Sequence, residues 1–310
     1  MEQAAAHAGD REARLARARC SLEGLSVGDA FGERFFLPPG MAIARIEERV
    51  LPAAPWPYTD DTQMALSIVS ILRQYGAIDQ DRLAESFAEQ YDPSRGYGPA
   101  MHGLLRAIRA GRPWSEAARG QFEGQGSYGN GAAMRVAPLG AFFADELDMV
   151  VEQAARSAEV THTHPEGIAG AIAVAVAAAW AWRLGQDQKL PSRPEFLDLI
   201  LPHVPSSEVR AKIRWARDAL ASTSVESAVF MLGNGTGVSA QDTVPFVLWC
   251  AGEHLHNYEE ALWLTVSGLG DRDTTCAMVG GIVSLYCGID SIPAAWRQAR
   301  EALPAWPFID

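Results

Sequence analysis

Residues 167–182 read Gly-Ile-Ala-Gly-Ala-Ile-Ala-Val-Ala-Val-Ala-Ala-Ala-Trp-Ala-Trp, with no charge among them. Such a run is either a membrane span or a helix packed on every side. A span needs about 20 predominantly apolar residues. This stretch is shorter, is dominated by Ala and Gly, and follows directly on His162, His164 and Glu166. The reading it supports is a helix over 166–184 at the centre of a folded domain, apolar all round because it has neighbours all round.

Helical periodicity continues on both sides. Apolar spacing predicts helices over 12–31, 62–75, 80–90, 99–110, 145–158, 206–221, 241–252, 258–268, 274–287 and 293–302. Asp79, Asp145 and Ser206 stand where N-caps belong, and Ser115 opens a short helix. No segment alternates with period two, so strands are few or absent. Pro- and Gly-rich connectors run through 36–58, 91–98, 111–114, 120–132 and 233–239, none long and polar enough to divide the chain. The expectation is one large all-helical domain over 11–310, preceded by a disordered or frayed segment over 1–10.

The 310 residues, 48% of them hydrophobic, suffice for a large core. A formal net charge of −12 argues against broad nucleic-acid binding and against anionic membranes. Cys20, Cys250, Cys276 and Cys287 form no CxxC pair. With no apolar signal core in Met1–Arg19, a reduced, cytoplasmic protein is the simplest expectation.

Two acidic clusters carry the chemistry. Thr59-Asp60-Asp61-Thr62 and Gly270-Asp271-Arg272-Asp273-Thr274 each precede an apolar, helix-like run. Helix capping would explain one acid in each. It does not explain two, because adjacent carboxylates in a first turn repel. Hard divalent cations want oxygen ligands. Four Asp and two Thr from two helix starts can hold a pair of such ions about 4 Å apart, as in two-metal hydrolases.

Two glycine-rich loops, Arg95-Gly96-Tyr97-Gly98 and Gly124 to Gly131, allow close backbone approach to a phosphate, although the glycine pattern taken alone reads first as a flexible surface. The second runs into Ala132-Ala133-Met134-Arg135, which can begin a helix. Tyr97 and Tyr128 lie in these loops, where a ring can stack on a base. His162 sits at a loop-to-helix junction, where ligand contacts concentrate. His254 and His256, beside Glu253, read as a surface helix end.

In this order along the chain, the motifs resemble the ADP-ribosylglycohydrolase family, including the dinitrogenase reductase-activating glycohydrolases. The resemblance rests on Gly24–Gly32, Thr59–Thr62, Arg95–Gly98, Ser127–Arg135, Thr161-His162, and Gly270–Thr274 with Met278, Gly280 and Gly281. It implies an orthogonal all-α bundle and a binuclear Mg²⁺ or Mn²⁺ site. Thr59, Asp60, Asp61, Asp271, Asp273 and Thr274 would be ligands, with Asp60 or Asp273 able to bridge. The implied substrate is ADP-ribose attached to a protein side chain, and free ADP-ribose is the product. Tyr97, Gly98, Ser127, Tyr128, Gly129, Asn130, Gly131 and His162 would line its path, with the loop from Ser127 on the diphosphate.

Two departures stand out. The family commonly carries a glutamate a few residues beyond the Gly-Asp-x-x-Gly segment; here Glu33 follows Gly32 directly, and Phe35 and Phe36 occupy the later places. The residue between the two metal Asp is often small or neutral, and here it is Arg272, which either contacts substrate phosphate or points outward. The expected reaction is hydrolysis of the glycosidic bond at C1″, with Asp61 or Glu33 orienting the attacking water or relaying its proton. An arginine N-glycoside is the first expectation and a serine O-glycoside the second. The alternative is a non-catalytic ADP-ribose-binding or structural protein on the same fold.

Overall fold

Glycine sets the closest approach between helices. In the computed structural model, which describes residues 2–308, helix α1 (Glu2–Glu33) lies against the helix that begins the second acidic cluster, Arg272–Cys287. A Cβ on Gly24 would strike Gly280 and Ser284, one on Gly28 the carbonyl of Cys276, and one on Gly32 the carbonyl of Arg272. Contacts descend one helix as they climb the other, so the pair is antiparallel. The glycine stripe thus brings Asp29 and Glu33, near the end of α1, beside Asp271 and Asp273.

The other helices follow in chain order. After α1 come α2 (Pro39–Glu47), α3 (Asp60–Tyr75), α4 (Gln80–Glu89), α5 (Pro99–Arg109) and α6 (Trp114–Arg119). The middle of the chain forms α7 (Ala137–Phe142), α8 (Leu147–Glu159), α9 (Pro165–Gln186), α10 (Arg193–Ile200) and α11 (Glu208–Asp218). The last third forms α12 (Val225–Leu232), α13 (Ala240–Glu253), α14 (Tyr258–Ser267), α15 (Arg272–Cys287) and α16 (Ala294–Ala299). Among the described residues there is no β-sheet, only the isolated bridges Trp56–Arg300 and Gly129–Ser239.

Helix α9 is the central helix its composition predicts. It touches α7, α8, α10, α11, α13 and α15. Its length and apolarity would suit a membrane span, but 78% of its most apolar window is buried inside the protein. Small side chains make this possible: Gly170 faces Ala240 and Val244, and the backbone at Ala175 meets Gly140 of α7. Below the end of α1, Phe31 stacks on Trp296 at 4.5 Å and meets Trp263 edge-on at 5.1 Å. These rings anchor the helix end that carries the acids.

Some local expectations need correction. Helices α2, α7, α10 and α12 lie where no helix was expected, and the segment after the Gly-rich loop makes a 3-10 turn over Asn130–Ala132 before its α-helix begins at Ala137. Asp79 caps α4 as expected, accepting from Arg82 N. Asp145 does not cap α8: Glu146 holds that position, and Asp145 pairs with Arg17. Ser207, not Ser206, caps α11, and α6 opens at Trp114, not Ser115. The segment expected to be disordered or frayed over 1–10 overlaps the start of α1, which begins at Glu2, and Met1 lies outside the described residues.

Candidate active site

Asp29 organises the first acidic cluster from a distance. It is fully buried and accepts four hydrogen bonds: from Thr59 N (3.0 Å), Thr59 Oγ1 (2.8 Å), Thr62 N (3.1 Å) and Thr62 Oγ1 (2.5 Å). The first turn of α3 is therefore capped by a carboxylate from α1, and no side-chain cap comes from Thr59 itself. That frees Asp60 and Asp61 from capping. Capping is thus removed as the explanation of the pair.

Asp61 is also fully buried. Its Oδ2 lies 3.0 Å from Thr59 Oγ1 and 3.5 Å from Thr274 Oγ1, while its Oδ1 has no hydrogen-bond partner. The Thr274 contact joins the two clusters, which are far apart in sequence. In the second cluster, Asp271 Oδ2 accepts from Asn130 Nδ2 at 2.7 Å. Gly270 and Leu269 just before it adopt positive φ, +65° and +57°, which turns the chain sharply into α15. For Leu269 that conformation is strained.

Electrostatics mark these acids as a unit. Burial, then neighbouring carboxylates, push Asp60 up to about 8 and hold Asp61 and Asp273 well above the ordinary range. Burial also raises Asp29 and Asp271, although hydrogen bonds oppose it at both. Glu33 is raised by burial and by Asp29 and Asp271, so it sits beside the cluster. Desolvated carboxylates this close need protons or cations to coexist.

Do the residues fit divalent cations? Among the described residues, no three Asp, Glu, His or Cys side chains converge with the spacing of metal ligands. Mg²⁺, however, is usually held through one or two carboxylates and several waters. The orphaned Asp61 Oδ1 and an all-oxygen donor set match that pattern. The chemistry of the site fits such an ion.

The cluster opens onto a cavity of about 510 Å³, where Asp60, Asp271, Asp273 and Thr274 share the wall with Gly98, Ser127, Tyr128, Gly129, Asn130, Gly131 and His162. Tyr128 stacks on Phe122, with ring centroids 6.2 Å apart, and His164 meets its edge at 5.3 Å. The loop is pinned on both sides, by Ala240 N to Tyr128 O (2.9 Å) and His164 N to Ser127 O (3.3 Å). Two of its amides are engaged within the protein: Gly129 N donates to Ser127 Oγ, and Asn130 N to Val238 O. Asn130 itself is buried and turns its side chain to Asp271 and Thr243, so it steadies an acid.

Several residues sit elsewhere than the sequence suggested. Tyr97 is buried with its ring against Tyr91 and His102, outside the cavity lining. Glu33 is also absent from the wall, although it is close enough to Asp29 and Asp271 to feel their charge. Arg272 points away from them: its Nη1 donates to Phe35 O at 2.8 Å, and its guanidinium lies 5.0 Å from the Phe36 ring centre. Sequence reasoning missed Asp29 as an organising acid, and Phe122 and Val238 as wall residues. Both wall residues adopt φ +50°, a strained backbone typical of binding loops.

The family model for ADP-ribosylglycohydrolase matches residues 10–306. The chain therefore belongs to the ADP-ribosylglycohydrolase family and is a hydrolase acting on ADP-ribose linkages. It is 32% identical to the human ADP-ribosylhydrolase ARH3, over 93% of this chain and 90% of that protein. An uncharacterized protein of Archaeoglobus fulgidus is 33% identical over 91% of each. A solved chain from an ADP-ribosylglycohydrolase-related protein complex shares the fold, with a TM-score of 0.62 over 94% of both chains at 23% identity.

Proposed function

We propose that this chain is a binuclear metal-dependent hydrolase that removes ADP-ribose from modified protein side chains. The observation that carries this is the buried acid cluster: Asp60, Asp271 and Asp273 stand on the wall of a cavity that also holds a glycine loop and a stacked aromatic pair, with Asp61 and its orphaned Oδ1 buried beneath them. Asp60, Asp61, Asp271 and Asp273 would hold the ions, with Thr59 and Thr274. Bound divalent cations supply Lewis acidity and bring water toward reactivity near neutral pH.

The chain's own residues do the rest. Cleavage builds oxocarbenium character at C1″ of the ribose. Glu33, raised by burial and then by its acidic neighbours, is a proton acceptor close to the cluster, and Asp61 is the second. The Ser127–Gly131 loop and the Phe122–Tyr128 pair supply binding energy remote from the reacting carbon, which fixes its position. Ser127, Tyr128, Gly129, Gly131 and His162 are the proposed nucleotide contacts, with Gly98 at the rim.

Of the two linkages, the wall residues weigh toward the serine O-glycoside over the arginine N-glycoside. Its carboxylates, Asp60, Asp271 and Asp273, belong to the cation cluster. An arginine leaving group would meet no carboxylate of its own there. The experiment is release of free ADP-ribose from a serine-ADP-ribosylated peptide and an arginine-ADP-ribosylated protein, each with Mg²⁺, Mn²⁺ or EDTA. Cation-dependent release from the peptide is expected, and release from the protein alone would reverse the linkage. Tight ADP-ribose binding with no release from either would leave the non-catalytic binder and place the displaced Glu33 at its cause.

A further inference from the structure

Arg135 is a cation with no exposed surface at all. It comes from the end of the glycine loop and reaches three elements. Its Nη2 donates to Ser157 O of α8 at 3.0 Å and to Thr161 Oγ1 at 2.9 Å. Nη1 lies 3.5 Å from Met64 Sδ of α3, and the guanidinium packs 4.5 Å from the Phe87 ring centre. Thr161, fully buried as well, lies 2.7 Å from the Nδ1 of His162.

Donor counting fixes the protons along this chain. A guanidinium can only donate, so Thr161 Oγ1 accepts from Arg135. The hydroxyl has one proton to give. Thr161 makes no bond back to a helix carbonyl, unlike Thr243 and Thr265, which donate to Ser239 O and Ala261 O. Its remaining partner among the described residues is His162 Nδ1. Were Nδ1 protonated, the hydroxyl proton would be buried without an acceptor. Nδ1 therefore accepts, and the ring's proton sits on Nε2. Burial and the charge of Arg135 push His162 down to about 3, which keeps the ring neutral.

Nε2 faces the ligand side. The ring lies on the cavity wall, and among the described residues Nε2 has no hydrogen-bond partner. A Cβ on Gly129 or Gly131 would come within 3.1 Å of Nε2, so those glycines leave the room the ring occupies. We propose that Arg135 and Thr161 form a relay that locks His162 as its neutral Nε2–H tautomer, aimed into the cavity as a hydrogen-bond donor to an acceptor oxygen of the bound ADP-ribosyl group. The inference rests on the function proposed above for the identity of that ligand. Arg135 and Thr161 are positioning residues; His162 makes the contact. A donor fixed before binding avoids the ordering cost of choosing a tautomer on the ligand.

The test reads the tautomer directly. Ring ¹⁵N shifts of His162, assigned by difference from His162→Gln, should report Nε2–H in the intact protein at pH 7. Thr161→Val should mix the tautomers and raise the calorimetric Kd for ADP-ribose about tenfold, about 1.4 kcal/mol. Thr161→Ser should restore both. Arg135→Met should also mix the tautomers; if it does not fold, the Thr161 pair decides. An Nδ1–H ring in the intact protein, or an unchanged tautomer and Kd in Thr161→Val, would overturn the relay. Absence of any ADP-ribose binding by the intact protein would instead sink the proposed function, while the ring shifts would still judge the relay.

Discussion

Asp29 and Asp61 are both fully buried acids, yet they differ in what holds them. Asp29 is surrounded by four donors, so Asp29→Asn loses charge-assisted bonds to the first turn of α3. Residues that orient metal ligands typically cost about 10- to 100-fold in activity or metal affinity when changed. We expect that loss for Asp29→Asn, read as ADP-ribose release, together with a lower Tm. Asp61→Asn should behave oppositely in stability. Its carboxylate is desolvated, repelled by Asp29, Asp273, Asp60 and Asp271, and half unpartnered. An amide there needs neither a bound proton nor a buried charge, so the variant should have a higher Tm in EDTA at neutral pH, while activity falls by more than the Asp29 variant loses. A lower Tm in EDTA would show that Asp61 is not under electrostatic load. Arg272→Ala should loosen the 34–37 turn that it clasps through Phe35 O, with metal affinity little changed. A large drop in Mn²⁺ affinity by calorimetry would put Arg272 back at the ions.

At the scale of elements, the α1–α15 contact is where sequence becomes a site. The same glycines that resemble a family motif are the ones that permit backbone contact, so the juxtaposition of Asp29 with Asp271 depends on them. Gly28→Ala would push a methyl into the Cys276 carbonyl. We expect about 1–3 kcal/mol of destabilisation by urea unfolding, as for overpacked cores. Activity should fall further than stability alone explains, because the acids move apart. Gly103→Ala, in α5 with nothing within 4 Å, is the control and should be neutral or slightly stabilising. Equal behaviour of the two variants would remove close packing as the reason for the stripe. Long apolar helices such as α3, α9 and α15 were legible in the sequence because burial leaves an unbroken apolar run. The short helices α2, α7 and α10 were not: Pro39, Pro138 and Pro194 at their starts read as connectors, although proline is at home in a first turn. Asp29 was illegible as a cap because it acts across thirty residues of chain, and local cap rules see only neighbours. The inward turn of Tyr97 was hidden for the same reason, since its ring is placed by Tyr91 and His102.

For the whole molecule, the acid cluster ties folding, pH and cations together. In the absence of cations, the folded-state pKa of Asp60 is raised to about 8, above the value near 3.9 expected in an unfolded chain. Asp61 and Asp273 are raised in the same direction. Between those limits the folded protein holds protons that the unfolded chain has released. Stability contributed by these groups is therefore greatest at low pH and is lost as pH rises through the window, at up to about 1.4 kcal/mol per pH unit for each group. Divalent cations replace those protons and let the carboxylates ionise in place. A saturating cation at a hundred times its Kd adds about 2.7 kcal/mol at one site. The measurable quantity is the gap in Tm between Mg²⁺ and EDTA, because titrations elsewhere in the chain cancel in the difference. That gap should widen from pH 5.5 to pH 8, since protons compete with the cation at the lower value. It should shrink in Asp60→Ala and Asp273→Ala, both of which should also lose turnover while keeping the helical circular dichroism of the parent. A gap that is the same at both pH values, and unchanged in the two variants, would mean that the cluster carries its protons permanently and that the cations, if the protein uses any, bind elsewhere.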